Sequence, residues 1–387
     1  MRDLNTYLRD RFGTKVYKLA LDGGMTCPNR DGICGTRGCI FCSEGGSGDF
    51  AEQSEMTPAK FAVLRRAALP RQDKTTDNIC MGVGRQIAAA KERLRTKLGR
   101  QFDSTKYIAY FQSYTNTYAP VEYLRALFTE AISDESVVVL SVATRPDCLP
   151  EEVVELLAEL NKIKPVWVEL GLQTIHEESA KFIRRGYELS VFDDAVARLE
   201  AAGIEVIVHV ILGLPGETRE DMLETVKYVT LKAAEPEKFA ASRDATEENP
   251  EGLATSCDAT EENPEGFVAS RDAEGAGYAR RPGLRGIKLQ LLHIMRGTDL
   301  GAMFDASSET IKTTGNACKD NLADGEAELL LAIHTPEEYI DILDDALSII
   351  GDRLVIHRLT GDAPHDKLIF PMWSANKRLI LNHLKNI

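Results

Sequence analysis

From residue 107 to residue 292 the chain alternates between short, continuously apolar runs and longer amphipathic segments, and this alternation restricts its folds more than any other feature. Apolar runs at 107–112, 137–143, 166–170, 206–212 and 287–292 read as strands, and one more precedes them at 16–21. The segments 121–132, 151–161, 177–184, 192–202 and 219–231 read as helices. A strand that is apolar at every position is buried on both faces, so the pattern predicts βα units around a parallel sheet. About six such units, without clear signs of eight, predict a partial (β/α)6 barrel, TIM-like but open. Barrels of this kind carry their sites at the C-terminal ends of the strands, so polar residues just past those ends are the first to weigh.

One stretch breaks the alternation. Ser242 and Ser256 each open a copy of a run that ends in Asp-Ala-Thr-Glu-Glu-Asn-Pro-Glu-Gly, and a shortened copy begins at Ser270, each offset by 14 residues. The repeat is too short and too polar for a solenoid unit, and its composition predicts a disordered, dispensable insertion at about 235–283. Between Ala233 and Gly277 there are 12 acidic and 3 basic residues, so about 9 of the net 14 negative charges lie there. Net acidity therefore says little about the charge of a site elsewhere. The expected organisation is a core at 1–300, a polar connector at 301–334, and a C-terminal extension at 335–387 that packs on the barrel. Within that extension, helices are expected at 335–350 and from 374, and a strand at 353–356. No apolar run reaches membrane-spanning length, and the N-terminus lacks a signal-peptide core. A cytoplasmic, reducing location is the expectation, and there eight cysteines serve as thiols or metal ligands.

The most informative loop follows the first strand: Cys27-Pro-Asn-Arg-Asp-Gly-Ile-Cys34-Gly-Thr-Arg-Gly-Cys39-Ile-Phe-Cys42. Closely spaced thiolates chelate soft metals without straining the backbone. Two readings compete. A structural zinc site would use Cys27, Cys34, Cys39 and Cys42, and the chain would be a zinc-stapled binding or scaffold protein. An iron–sulfur site would use Cys27, Cys39 and Cys42 and leave one iron open to an exogenous ligand. The loop's position, opening the first βα unit, favours the second. Phe41 would shield such a cluster from water.

The C-x11-C-x2-C spacing after the first strand, with an aromatic before the last Cys, resembles the radical S-adenosylmethionine (SAM) superfamily. More closely, the chain resembles the YhcC/YtqA-like proteins, relatives of the Elongator catalytic subunit. The resemblance is carried by TCPNRDG at 26–32, GCIFC at 38–42, YFQSYTNTYAP at 110–120 and SVATRPDCLP at 141–150. It continues through ELGLQT at 169–174, RRGY at 184–187, HVILGLPGET at 209–218, LLHIMRGT at 291–298, IHRLTGDAP at 356–364 and PMWSANK at 371–377. It implies a radical SAM barrel and a [4Fe–4S] cluster on Cys27, Cys39 and Cys42, with Cys34 not a ligand. It implies SAM as cosubstrate, cleaved to a 5′-deoxyadenosyl radical that abstracts hydrogen from the substrate. It further implies an electron donor such as flavodoxin or ferredoxin, and tRNA as the partner, through wobble-uridine modification. A protein or small-molecule substrate is the alternative.

Other residues are weighed beside it. By resemblance, Gln112, Ser113, Thr115 and Asn116 occupy the place that holds the SAM amino group, and Arg185, with Arg184 as the neighbouring alternative, contacts the SAM carboxylate. Thr144 and Arg145 follow the third strand. Glu169, in an apolar strand, needs a partner, for which SAM or Arg185 is the candidate, and Gln173 follows it. His209 is either a satisfied interior histidine or a site residue. Gly213, Pro215 and Gly216 form a turn that permits close backbone approach. In the tail, His357, Arg358, Asp362, His365, Trp373 and Lys377 offer groups suited to a stacked base. The basic run Lys91–Arg100 is either a solvated face or a phosphate contact.

Overall fold

In the computed structural model the described residues are 2–46, 51, 82–234, 283–313 and 331–383, with the backbone alone described at 307–313. The acidic insertion at 235–283 lies, but for Gly283, outside them, as does the polar stretch from 314 to 330. The strands are β1 (Arg2–Asp3), β2 (Val16–Leu21), β3 (Lys106–Phe111), β4 (Val137–Thr144), β5 (Val166–Gln173), β6 (Glu205–Leu212), β7 (Gly283–Leu291), β8 (Ile294–Met295), β9 (Val355–Arg358) and β10 (Leu368–Phe370). Eight of them form one sheet in the order β1-β9-β7-β6-β5-β4-β3-β2, with every pairing parallel. The sheet curls into an open half barrel, as the sequence pattern predicts.

The six βα strands read from the sequence are β2 to β7. Two short strands widen the sheet beyond them. β9 comes from the C-terminal extension, two residues later than expected, and pairs Val355 and Ile356 with Gly286 and Ile287 of β7. β1 is only two residues long, too short to leave a periodic signal. The helix Asp299–Thr313 crosses the boundary expected at 300/301.

Period-two alternation explains how continuously apolar strands serve two environments. In β5, Val166, Val168, Leu170 and Leu172 join the core shared with the outer helices. Trp167 faces a second core inside the curl, with Ile108, Tyr110, Val139 and Ile207. The helix Val121–Ser133 packs Phe128 edge-on against Phe111, at a centroid distance of 5.1 Å. The helix Pro336–Ile350 starts where the sequence placed it, with Pro336 in its first turn and a reciprocal capping box between Thr335 and Glu338.

The helix Leu4–Phe12 closes the N-terminal end of the half barrel. Its N-cap is Asp3, whose carboxylate accepts from the Asn5 and Thr6 amides. Tyr7 donates to Glu205 at 3.1 Å, and Arg11 pairs with Glu205 at 2.7 Å. Tyr7 also meets Trp167, and Trp167 packs edge-on against His357 at 5.2 Å. Gly286 makes room for that histidine, since a Cβ there would fall 2.7 Å from its ring. The cavity of the described residues lies at the opposite, C-terminal end. Among the described residues, no helix is long and apolar enough to cross a membrane.

Candidate active site

The cysteine loop is held by its own backbone and by three side chains. Arg30 N–H donates to Cys27 O at 2.8 Å, and Cys42 N–H to Cys39 O at 3.0 Å. The Asn29 amide donates to Arg184 O at 2.7 Å and lies 3.5 Å from Cys39 Sγ, tying the loop to the RRGY turn. Gly186 lets them approach, because a Cβ there would sit 2.8 Å from Asn29 Oδ1. Arg30 reaches back to Cys42 O at 2.9 Å and Ser43 O at 2.5 Å. Arg145 chelates Asp147 at 2.9 and 2.6 Å and donates to Arg185 O at 2.9 Å, so it braces the same turn from β4.

Cys27, Cys39 and Cys42 then line one cavity at the C-terminal mouth of the half barrel. Cys34, the fourth thiol of the zinc reading, is exposed and is not among its lining residues. The four thiols also do not bring three sulfurs within 4.8 Å of one another. A mononuclear tetrahedral zinc site, with Zn–S near 2.3 Å, needs sulfurs about 3.8 Å apart. Burial pushes the Cys39 thiol up to about 12, and the neighbouring Cys42 and Cys27 add to the rise. Three thiols lining one cavity fit a polynuclear iron–sulfur cluster, whose positive irons would offset their repulsion.

The structure brings most of the remaining candidates to this cavity. Phe41, Gln112, Thr144, Glu169, Gln173, Arg185 and His209 all line it, together with Thr115 and Arg145. Asn116 and Gly213 do not. The Asn116 amide is fully buried and donates to Phe111 O and Ala143 O, latching β3 to β4. Gly213, at φ 87°, donates its N–H to Met222 Sδ at 3.0 Å and packs beside Ile333. Arg185 is 1% exposed, and its guanidinium donates to Leu172 O, Thr174 O and Tyr187 O and pairs with Glu177 at 3.1 Å. The Tyr187 ring lies 4.9 Å from both the Arg145 and the Arg185 guanidinium, and its hydroxyl reaches Gly171 O at 2.6 Å.

Glu169 finds its partners inside the barrel, not at Arg185. Its carboxylate accepts from Lys18 at 3.3 Å, Ser141 at 2.8 Å and His209 Nε2 at 2.9 Å, and pairs with Lys288. Lys288 also donates to the Tyr110 hydroxyl at 3.0 Å. Burial works against the Glu169 charge, but Lys18, Lys288 and the His209 bond overcome it and hold the carboxyl well below the usual range. Burial, with Lys288 adding, lowers His209 to about 4, so its imidazole is neutral at pH 7. Gln290 Nε2 donates to His209 Nδ1 at 3.3 Å, which leaves the ring proton on Nε2, facing Glu169. Lys18, Ser141 and Lys288 were not singled out from the sequence. The available signal was a lysine at an inward position of an otherwise apolar strand, in VYKLAL and GIKLQL.

His293 is likewise lowered to about 4, chiefly by burial. The sign follows: between pH 4 and 6.5 the unfolded chain binds more protons than the folded one, so stability rises with pH there. Acidifying from pH 7 to pH 4.5 is expected to cost on the order of 2–3 kcal/mol per buried histidine. Urea midpoints of wild type and His293→Asn across that range check this. Equal slopes would exclude His293.

The tail divides. Arg358 and Asp362 line the cavity beside Gln290 and His293, and Asp362 also pairs with Lys377. Trp373 instead donates to His334 O at 2.7 Å and packs on Tyr339. His365 is exposed, away from the lining. In the basic helix Val83–Leu98, Lys91 pairs with Asp134 and Arg95 with Glu92. None of its residues lines the cavity.

The comparisons with known proteins bear on the family and the fold. The radical SAM superfamily model matches residues 32–229, and the radical SAM C-terminal domain matches 322–386. YtqA of Bacillus subtilis, an uncharacterized protein, is 36% identical over 378 residues, covering 98% of this chain and 86% of that protein. A tRNA uridine(34) acetyltransferase of Methanocaldococcus jannaschii is 34% identical over 83 residues, 21% of this chain and 15% of that enzyme. Among solved structures, the Elp3 of Methanocaldococcus infernus superposes with a TM-score of 0.51 at 15% identity. That match covers 96% of this chain, which spans 63% of the Elp3 chain, and it shows a shared fold.

Proposed function

The chain belongs to the radical SAM superfamily, whose members are enzymes using a [4Fe–4S] cluster and SAM, and we propose that Cys27, Cys39 and Cys42 hold that cluster here. The observation that carries this reading is the convergence of these three thiols, without Cys34, on one cavity. When bound, the cluster and SAM supply a 5′-deoxyadenosyl radical through one-electron cleavage, the electron coming from a donor such as flavodoxin or ferredoxin. A reducing, cytoplasmic compartment suits both thiols and cluster.

The chain's own residues do the rest. Gln112, Thr115, Thr144 and Gln173 place hydrogen-bonding groups around the cavity on the β3–β5 side. Phe41 and Ile211 exclude water from the cysteine side. Arg185 rigidifies the turn beside the cysteine loop through its bonds to Leu172 O, Thr174 O and Tyr187 O. The wall opposite, built from β7 and the C-terminal extension, carries Gln290, His293, Arg358 and Asp362 and is the substrate side.

The substrate proposed is a tRNA wobble uridine. Support comes from the Elongator-type resemblance and from the segment shared with a tRNA uridine(34) acetyltransferase. The wall offers donors and acceptors in Gln290, His293 and Asp362, with the Arg358 cation for an anionic group. Nucleoside mass spectrometry of tRNA from a deletion strain, complemented by wild type or by Cys42→Ala, tests it. The expected result is a changed wobble-uridine profile that only wild type restores; an unchanged profile removes tRNA from the reading. Arg358→Ala is expected to lower substrate-dependent turnover about 10- to 100-fold while substrate-free SAM cleavage stays within about twofold, because Arg358 reaches the cavity from the C-terminal extension and not from the cysteine loop. Parallel loss of both would place Arg358 on the SAM side instead.

A further inference from the structure

Two segments far apart in sequence, 1–20 and 82–106, hold twelve basic and four acidic residues, a surplus of eight positive charges in a chain whose net charge is -14. Tertiary structure puts the two side by side. The helix Val83–Leu98 buries Val83, Ile87, Ala90 and Leu98 in the core that Leu19 and Leu21 of β2 share. The turn Gly99–Ser104 then leads into β3, which pairs with β2. The ammonium groups of Lys15, just before β2, and Lys97, in the last turn of the helix, lie over one aromatic ring, that of Tyr17, at 5.0 and 5.6 Å from its centroid. Arg100 follows in the turn and is exposed, as are both lysines.

The acids of the two segments do not neutralise this face. Asp3 caps the first helix, Asp10 faces Arg2 at 3.7 Å, and Glu92 pairs with Arg95 at 2.7 Å, which leaves only Asp103 in the turn. Elsewhere in the segments Arg11 pairs with Glu205, Lys18 with Glu169 and Lys91 with Asp134. Lys15, Lys97 and Arg100 have no carboxylate partner among the described residues. A cation in the last turn of a helix answers the helix dipole, which accounts for Lys97. It does not account for a second ammonium on the same ring, where like charges repel until an anion joins them.

We propose that Lys15, Lys97 and Arg100 form a docking face for the phosphate backbone of the tRNA, outside the catalytic cavity; this rests on the wobble-uridine reading above. Phosphate supplies the counter-charge the face lacks, and the acidic remainder of the chain repels a polyanion, so the face also selects the orientation in which the RNA approaches. None of the three residues lines the cavity. Tyr17 stands four residues before Leu21, the last residue of β2, so roughly 13 Å of strand separates it from the end where the cysteine loop begins. A single nucleotide in the cavity does not bridge that distance. A duplex stem, at about 3.4 Å per base pair, covers it in about four steps. The face therefore contributes affinity for a polynucleotide and takes no part in the chemistry.

The test uses the full-length chain with its cluster reconstituted and an unmodified tRNA transcript with a wobble uridine, followed by fluorescence anisotropy between about 50 and 200 mM salt. The double variant Lys15→Ala, Lys97→Ala is expected to bind about tenfold more weakly, with the slope of log affinity against log salt shallower by about 1.5. Its substrate-free SAM cleavage should match wild type, which shows that the fold and the cavity are intact. Lys162→Ala, Lys227→Ala removes the same charge from two other exposed positions and is expected to bind as wild type does. Saturable wild-type binding that Lys15→Ala, Lys97→Ala keeps, or that both double variants lose equally, would overturn the docking face and leave the wobble-uridine reading standing. Absence of saturable binding by wild type would overturn both. Loss by Lys15→Ala, Lys97→Ala of affinity for phosphatidylserine vesicles, with tRNA binding kept, would assign the face to a membrane surface instead.

Discussion

Alanine at Cys27, Cys39 or Cys42 is expected to abolish SAM cleavage, while Cys34→Ala retains it. The three thiols share a cavity wall, and each ligand lost leaves an iron that no other described thiol at the cavity can take over. The loss should exceed the roughly 10- to 100-fold that removal of an outer-shell partner costs a metal site. Cys34 sits on the exposed outside of the loop, where its N–H bonds Pro28 O, and its side chain contributes nothing to the cavity. Iron and sulfide content after anaerobic reconstitution, with chromatography for 5′-deoxyadenosine, measures both halves. A Cys34→Ala protein that loses its iron, or a Cys39→Ala protein that keeps cleaving SAM, would require a different ligand set.

The second large effect lies in the barrel interior. Glu169→Leu leaves Lys288, 1% exposed, without its counter-charge, and is expected to cost about 3–5 kcal/mol. Lys288→Met leaves Glu169 with Lys18, Ser141 and His209 and should cost less than the Glu169 substitution. The double variant Glu169→Leu, Lys288→Met should recover most of the loss, because an apolar pair fills the layer and Lys18, 25% exposed, reaches water. The sign of the pH dependence follows from Glu169, whose folded pKa is depressed. Its stabilisation is present above the unfolded carboxyl's pKa and fades as pH falls through the folded one. Urea unfolding of the four proteins forms a double-mutant cycle. Coupling below about 0.5 kcal/mol would show that Glu169 and Lys288 contribute independently of each other.

The strand and helix pattern was legible because each strand is apolar at nearly every position, and burial on two faces leaves that mark. The same uniformity hid the interior polar layer. A single inward Lys, Ser or Tyr in such a strand has the same sequence signature whether it reaches water or a partner. Lys18 and Lys288 are separated by 270 positions and Glu169 lies between them, so only the parallel order β7-β6-β5-β4-β3-β2 brings them together. Glu169 was visible as an anomaly that needed a partner, and the partner's identity was a matter of topology. β9 was legible as a strand but not as a member of this sheet.

The sequence by itself determined which residues could bind a cluster, since chelation by Cys39 and Cys42 depends on a spacing of three, and it determined the βα rhythm that puts their loop at a strand end. Tertiary structure alone decided that Cys34 points away, that Arg185 and Asn116 spend their hydrogen bonds on backbone carbonyls, and that Arg358 and Asp362 of the extension complete the cavity. The physical reason is range. Ligand spacing and hydrophobic periodicity are encoded between neighbours a few residues apart. The choice of partner for a buried charge or a guanidinium is made among groups brought together by sheet order and curvature, which no local pattern records.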